Sequence, residues 1–326
     1  MKWIIPLLLS AISTISSAQS VSNSSTSQAV NTTQARALTI ADSRVAGNRY
    51  YQQLNSDPGN AGAWLQFYIW LNRNKEEKQL QDQTLRSSRQ YIAQSWQYSL
   101  MRFIASGKKD GKAISEALDN TDDKRLVYPY AIHYAIISEK PALLRQYATA
   151  FNALSPLSAA QYEYHYNVLM SAGPDALLYG KGLTDLAPMA VLQQVYGVRK
   201  DVQLKYYDGP VTANSNAYIC LSAGKEIIES YPGAGYSGLL IQLAGQTDAP
   251  ALEKCLGNFS LAKLETLQQL AQEDIPFYSN YIPSFVLLYK FLKKNNNPAA
   301  VQWKARLEKL AALTGTTSAI EKVLAE

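Results

Sequence analysis

Sulfur and imidazole are scarce: the 326 residues hold two cysteines, Cys220 and Cys255, and two histidines, His133 and His165. No Cys-x-x-Cys or His-x-x-x-His pair exists, so neither a zinc site nor any other metal site is expected. The histidines sit among tyrosines on separate predicted helices, the setting of packed rings with a satisfied nitrogen. The cysteines either form one bridge or remain two buried thiols; their spacing does not decide which. Charge is thin as well, at 17% Asp, Glu, Lys and Arg with a net of +5 spread over both halves of the chain. A nucleic-acid partner would call for a basic stripe, and none is present. Apolar runs long enough for a bilayer, about 20 residues, are missing too, so no transmembrane segment is expected.

Catalytic signatures are equally sparse. Gly233-Ala234-Gly235-Tyr236-Ser237-Gly238 spells G-x-G-x-x-G, but the pattern predicts a helix before it and a strand after it. Dinucleotide binding needs the reverse order, with a helix N-terminus facing the pyrophosphate, so the stretch reads as a flexible loop and no cofactor is expected. Ser237 lacks the second glycine of a G-x-S-x-G elbow. No catalytic residue can be named, and whether the protein is an enzyme stays open.

What is present begins with Met1-Lys2, the apolar segment Trp3 to Ile12 and the small residues Ser16-Ser17-Ala18, the layout of an export signal over residues 1–18. No cysteine lies near the expected cut at Gln19, so a bacterial lipoprotein anchor is not expected, and a periplasmic or secreted location is. Residues 19–40 are rich in Ser, Thr, Asn, Gln and Ala and read as a disordered tether. Asn23, Asn31 and Asn258 each open an N-x-S/T triplet, which matters only in a glycosylating host.

From residue 41 the pattern turns helical. Apolar spacing predicts helices at 41–54, 64–71, 76–92, 95–104, 113–118, 128–138, 141–154 and 159–170, punctuated by Gly107, Asn120-Thr121-Asp122, Lys140-Pro141 and Ser155-Pro156. Helices of this length with short connections make an α-solenoid. The series gives way at 173–207: Ala176 to Gly180 is a short apolar run, Leu186 to Tyr196 has helical spacing, and Val202 to Tyr207 alternates. That order reads as βαβ; residues 216–231 then hold a strand or helix start followed by a helix with Ile227-Ile228 on its buried face, and 238–244 is β-like. A parallel pair places Lys181-Gly182-Leu183-Thr184-Asp185 at the carboxyl end of the first strand, where open α/β sheets bind ligands. Lys181, Thr184 and Asp185 are therefore the candidate ligand-binding residues. Asp185 has a competing role as cap of a helix beginning at Leu186. Helices at 261–271, 281–292, 299–313 and 320–324 close the chain.

Two resemblances rest on these residues. Asp57-Pro58-Gly59-Asn60-Ala61-Gly62-Ala63-Trp64-Leu65 resembles the turn and helix start of tetratricopeptide (TPR) repeats. Tyr166 to Met170, Ala176 to Gly180 and Leu192 to Val202, with its Gly197-Val198-Arg199-Lys200-Asp201-Val202 turn, resemble exported TPR-containing proteins of the Bacteroidetes type. A similar segment occurs in soluble parts of some membrane proteins related to glycosyltransferases. In that family a polar loop of the form N-G-D-N-D-T follows the strand, whereas Lys181 to Asp185 keeps one aspartate.

The expectation is thus a mainly α protein, a TPR-like α-solenoid over 41–172 with a small α/β (βαβ) region at 173–258 and a C-terminal helical hairpin within 259–326. The expected function is an interaction or assembly module with a protein or peptide partner in the cell envelope. The competing reading is a carbohydrate- or small-molecule-binding protein or enzyme using the loop 181–185.

Overall fold

The computed structural model describes residues 49–73 and 78–325. The expected signal, the tether and most of the helix at 41–54 lie outside the described residues. The chain is mainly helical with a small sheet, and it divides into two compact units between Glu139 and Lys140.

In the first unit the helices are α1 (Arg49–Ser56), α2 (Ala61–Arg73), α3 (Lys78–Ile92), α4 (Trp96–Ala105), α5 (Gly111–Asn120) and α6 (Tyr128–Ile137). Short polar residues set their starts. Asn60 Oδ1 accepts the Ala63 N–H at 2.9 Å, Ser95 accepts that of Tyr98, and Asp110 takes those of Lys112 and Ala113. The Trp64 indole N–H returns to Pro58 O at 2.8 Å and fixes the turn from α1 into α2. Successive helices pack on one another, and α2 also packs on α4, around Phe67, Tyr68, Leu71, Leu100, Met101, Phe103, Ile114 and Ile132. A Cβ on Gly111 would lie 2.3 Å from the Tyr134 hydroxyl, so only glycine lets α5 approach α6 this closely.

The second unit opens with α7 (Pro141–Leu154) and α8 (Ala159–Met170), then β1 (Leu177–Gly180), α9 (Leu183–Gln194) and β2 (Gln203–Tyr206), the expected βαβ. The boundary lies at 139/140 rather than at 172/173 because α7 and α8 both pack on α9. β3 (Ala217–Cys220), α10 (Lys225–Glu229), β4 (Gly235–Ser237) and β5 (Leu240–Gln242) follow, giving strand order β2-β1-β3-β5-β4. β1 is parallel to β2 and β3, while β5 is antiparallel to β3 and β4. Residues 233–238, expected to be a loop, instead carry edge strand β4 and turn at Gly238. Gly238 has φ +58, and a Cβ there would meet Ser171 Oγ at 2.3 Å and Cys255 Sγ at 2.9 Å.

The chain ends in α11 (Ala249–Gly257), α12 (Ala262–Thr266), α13 (Ile275–Ser279), α14 (Tyr281–Lys294), α15 (Ala300–Thr314) and α16 (Thr317–Ala325). α14 and α15 form the expected hairpin, with Phe285 edge-on to Trp303 at 4.8 Å. The helix expected at 261–271 stops at Thr266. Glu265 O, which would accept from residue 269, is taken by Lys309 Nζ at 2.8 Å, a tertiary contact overriding local propensity.

α8 holds this unit together by a buried polar stripe at i, i+4 and i+8. Glu163 accepts the N–H groups of Lys263 and Leu264 at 2.7 and 2.9 Å, capping α12 from another helix. Asn167 accepts from Ser260 N–H and donates to Ser260 O and Tyr281 Oη. Ser171 Oγ accepts the Leu239 N–H at 2.9 Å. The end of α8 is closed by Arg199, whose guanidinium donates to the carbonyls of Leu169, Ala172 and Gly173 and to Asp201. Arg199 pays for this with a left-handed φ of 44°. The Arg-x-Asp of the family-like turn is therefore a helix-end clamp. Arg199→Lys is expected to cost about 2 kcal/mol, since one ammonium cannot serve three carbonyls and a carboxylate. Urea denaturation would report it as a lowered midpoint with an unchanged slope; an unmoved midpoint would contradict the clamp.

Candidate functional site

The strand-end residues come together in part. α9 begins at Leu183, three residues before the expected start, with Gly182 as N-cap. Asp185 is thereby inside the first turn, at N3, and is 3% exposed. Ser222 Oγ donates to its Oδ1 at 2.7 Å, and the nearby backbone donors at Lys181 and Gly182 favour its charged form. Burial raises its pKa, against the pull of those three donors. The helix N-terminus, which could otherwise attract an anion, is already occupied by the protein's own carboxylate. Lys181 and Thr184 are exposed, and Lys181 Nζ reaches Ala223 O at 3.3 Å. Ser222 was not anticipated. It lies two residues beyond β3, in a stretch that read only as a strand or helix start; a parallel neighbour of β1 delivers its carboxyl end to the same edge.

Behind this edge lies His165, 1% exposed. Its Nε2 is 2.9 Å from Thr184 O and its Nδ1 is 2.8 Å from Gln161 O. Thr184 O would ordinarily accept from residue 188, but that residue is Pro188, inside α9 and without an N–H. The imidazole supplies the missing donor and ties α8 to α9. Burial pushes its pKa down to about 4, although both carbonyl contacts favour the charged form. Tyr164 and Phe277 enclose the ring edge-on at 4.9 and 5.1 Å. His133 in α6 is likewise buried, which lowers its pKa to about 3.

The cysteines are free thiols in separate surroundings. Cys220 is buried on β3, where burial and the nearby Asp185 raise its pKa, and Cys255 on α11 bonds Ser171 and abuts Gly238. No group of three or more His, Cys, Asp or Glu side chains converges among the described residues. No helix among them is long and apolar enough to cross a membrane.

A different face gathers exposed apolar surface. Leu154 (51% exposed) at the end of α7 and Val195 (37%) and Tyr196 (48%) at the end of α9 are exposed, and Tyr162 and Tyr166 on α8 are half-buried. Tyr162 stacks on Tyr166 at 6.4 Å and meets Tyr196 edge-on at 5.4 Å. Tyr196 Oη donates to Asn152 Oδ1 at 3.3 Å. The segments 141–162 and 186–200 around this patch carry Arg145, Arg199 and Lys200 and no carboxylate. Comparison with known proteins finds no matching family model, no similar curated protein and no similar solved structure.

Proposed function

We propose that this is an exported, TPR-like interaction module whose partner is an extended segment of another envelope protein, docked on the tyrosine patch of the 140–326 unit. The observation that carries the reading is the exposure of Tyr196, Val195 and Leu154 beside the stacked Tyr162 and Tyr166. Tyrosine suits such a surface because it offers a rigid apolar ring and a hydroxyl at low entropic cost. Exposed rings beside exposed aliphatic side chains favour a segment with apolar or aromatic anchors. The strand-end cluster supports this weakly by contrast, since Asp185 is buried and engaged on its own helix.

A photoreactive phenylalanine analogue placed at Tyr196 tests it. Irradiation in envelope extract should trap one protein, through one peptide, and Tyr162→Ala in the same chain should abolish trapping without moving the melting temperature. Trapping retained in Tyr162→Ala but lost in a Lys181→Ala, Thr184→Ala double variant would transfer the site to the strand end and favour the competing small-molecule or carbohydrate reading.

A further inference from the structure

The two faces of the sheet are covered unequally. Parallel strands normally have helices on both faces and a helical crossover between them. Here the crossover from β2 to β3 is the coil 207–216, and that face is covered by the five-residue α10 through Ile227 and Ile228, with Leu287 of α14 beside them. The face so covered presents Ile219, Ile241, Tyr207 and Tyr236, with Tyr179 and Tyr231 partly buried against them. It is a second apolar cluster under a thin lid, rich in tyrosine.

One atom there is unaccounted for. Tyr236 is 8% exposed, and its hydroxyl is enclosed without a hydrogen-bond partner. A buried donor left in that state is costly, and a native chain that keeps one calls for an explanation. Phenylalanine would fill the same volume without the cost. Burial pushes the phenol up to about 12, so it remains a donor at any ordinary pH. The cover itself is lightly fastened: Tyr231 Oη accepts the Val211 N–H at 2.9 Å and lies 3.5 Å from Tyr207 Oη. Its flanking glycines, Gly209, Gly224 and Gly233, have no atom within 4 Å of a Cβ position, and Gly224 has φ +98.

We infer that the tyrosine-lined face of the sheet is a binding site for a flat apolar or aromatic small molecule with one hydrogen-bond acceptor, which takes the Tyr236 hydroxyl when the cover at 207–211 and 224–233 swings aside. The sheet residues Tyr179, Ile219 and Ile241 supply the contact surface, and the Tyr236 hydroxyl supplies orientation. The site is on the sheet, independent of the patch on α7–α9, and stands or falls separately from the docking function.

Two fluorescent probes and two variants of the full chain test it. 1-Anilinonaphthalene-8-sulfonate carries a strong acceptor; N-phenyl-1-naphthylamine does not. The folded wild-type protein at neutral pH should bind one equivalent of each, saturably. Tyr236→Phe should weaken the sulfonate probe about fivefold, the equivalent of one hydrogen bond, and leave the amine probe unchanged. The same variant without probe should melt about 2–4 °C higher, because it loses an unsatisfied buried donor. Tyr231→Phe should raise the association rate of both probes severalfold by loosening the cover. Absence of saturable binding would overturn the proposal, as would equal loss of both probes in Tyr236→Phe. A Tyr236→Phe protein no more stable than wild type would show that the hydroxyl already has a partner, and would overturn it as well.

Discussion

Asp185→Ala should destabilise the 140–326 unit by about 3 kcal/mol, because it removes the acceptor of the Ser222 hydroxyl and a buried carboxylate from the first turn of α9. A change of that size lowers the melting temperature by about 6–12 °C in a unit of this length. Asp185→Asn should recover part of the loss through its remaining oxygen, and Asp185→Glu little of it, since the extra methylene has no room. The decisive measurement is thermal melting beside probe or partner binding. A melting temperature within a degree of wild type, with ligand binding lost, would return Asp185 to the role of an open ligand-binding carboxylate.

The same residue marks the limit of what the sequence disclosed. Alternation at 202–207 and apolar spacing through 186–196 made the βαβ unit legible, and Lys140-Pro141 marked a helix boundary that the chain uses. Periodicity could not locate the first turn of α9, because Leu183 and Thr184 carry no apolar signal distinct from a loop. Hence Asp185 read as the cap of a helix beginning at Leu186, or as a loop ligand, when it is a buried residue inside the first turn at N3. The stretch 233–238 read as a loop on its glycine content, yet Gly235 and Gly238 are there because neighbouring backbone and side chains leave no room for a Cβ. Tertiary contacts of this kind, like Lys309 on Glu265 O, leave no trace in local composition. The tyrosine cluster at 162–166 was visible as letters, but its meeting with Tyr196 depended on how α9 ends.

Replacing His165 is expected to have an effect of similar size. His165→Leu leaves Thr184 O buried with no donor, since Pro188 cannot supply one, and should cost about 2–3 kcal/mol. Pro188→Ala restores an N–H at that position. It should therefore recover more than half of the loss in the His165→Leu background while changing the wild type much less. Equal effects of Pro188→Ala in both backgrounds would break the link. The histidine also sets an acid limit. An imidazole at about 4 in the folded state and at its ordinary 6.5 in the unfolded chain binds fewer protons folded than unfolded between those values. Stability conferred by the neutral ring is complete above pH 6.5 and lost as pH falls through 4, a change of about 3 kcal/mol. His133, at about 3, acts in the same sense in the 49–139 unit. Asp185, raised by burial, acts in the opposite sense and offsets part of the loss at the acid end. Urea midpoints measured from pH 7 to pH 4 should fall steeply in wild type and less steeply in His165→Leu.

The stripe on α8 has a consequence for the order of events in synthesis. Its partners are distant along the chain: Leu264 is 101 positions from Glu163, Tyr281 is 114 from Asn167, and Asn280 is 116 from Tyr164. A growing polypeptide that has released α8 holds a carboxylate and an amide with nothing to receive them until residue 281 has emerged. Contacts of such long reach slow folding and keep the intermediate open. This half of the molecule therefore completes itself only once its last third exists, and a transcript cut short before Tyr281 should yield a product that proteases clear rather than a smaller stable domain.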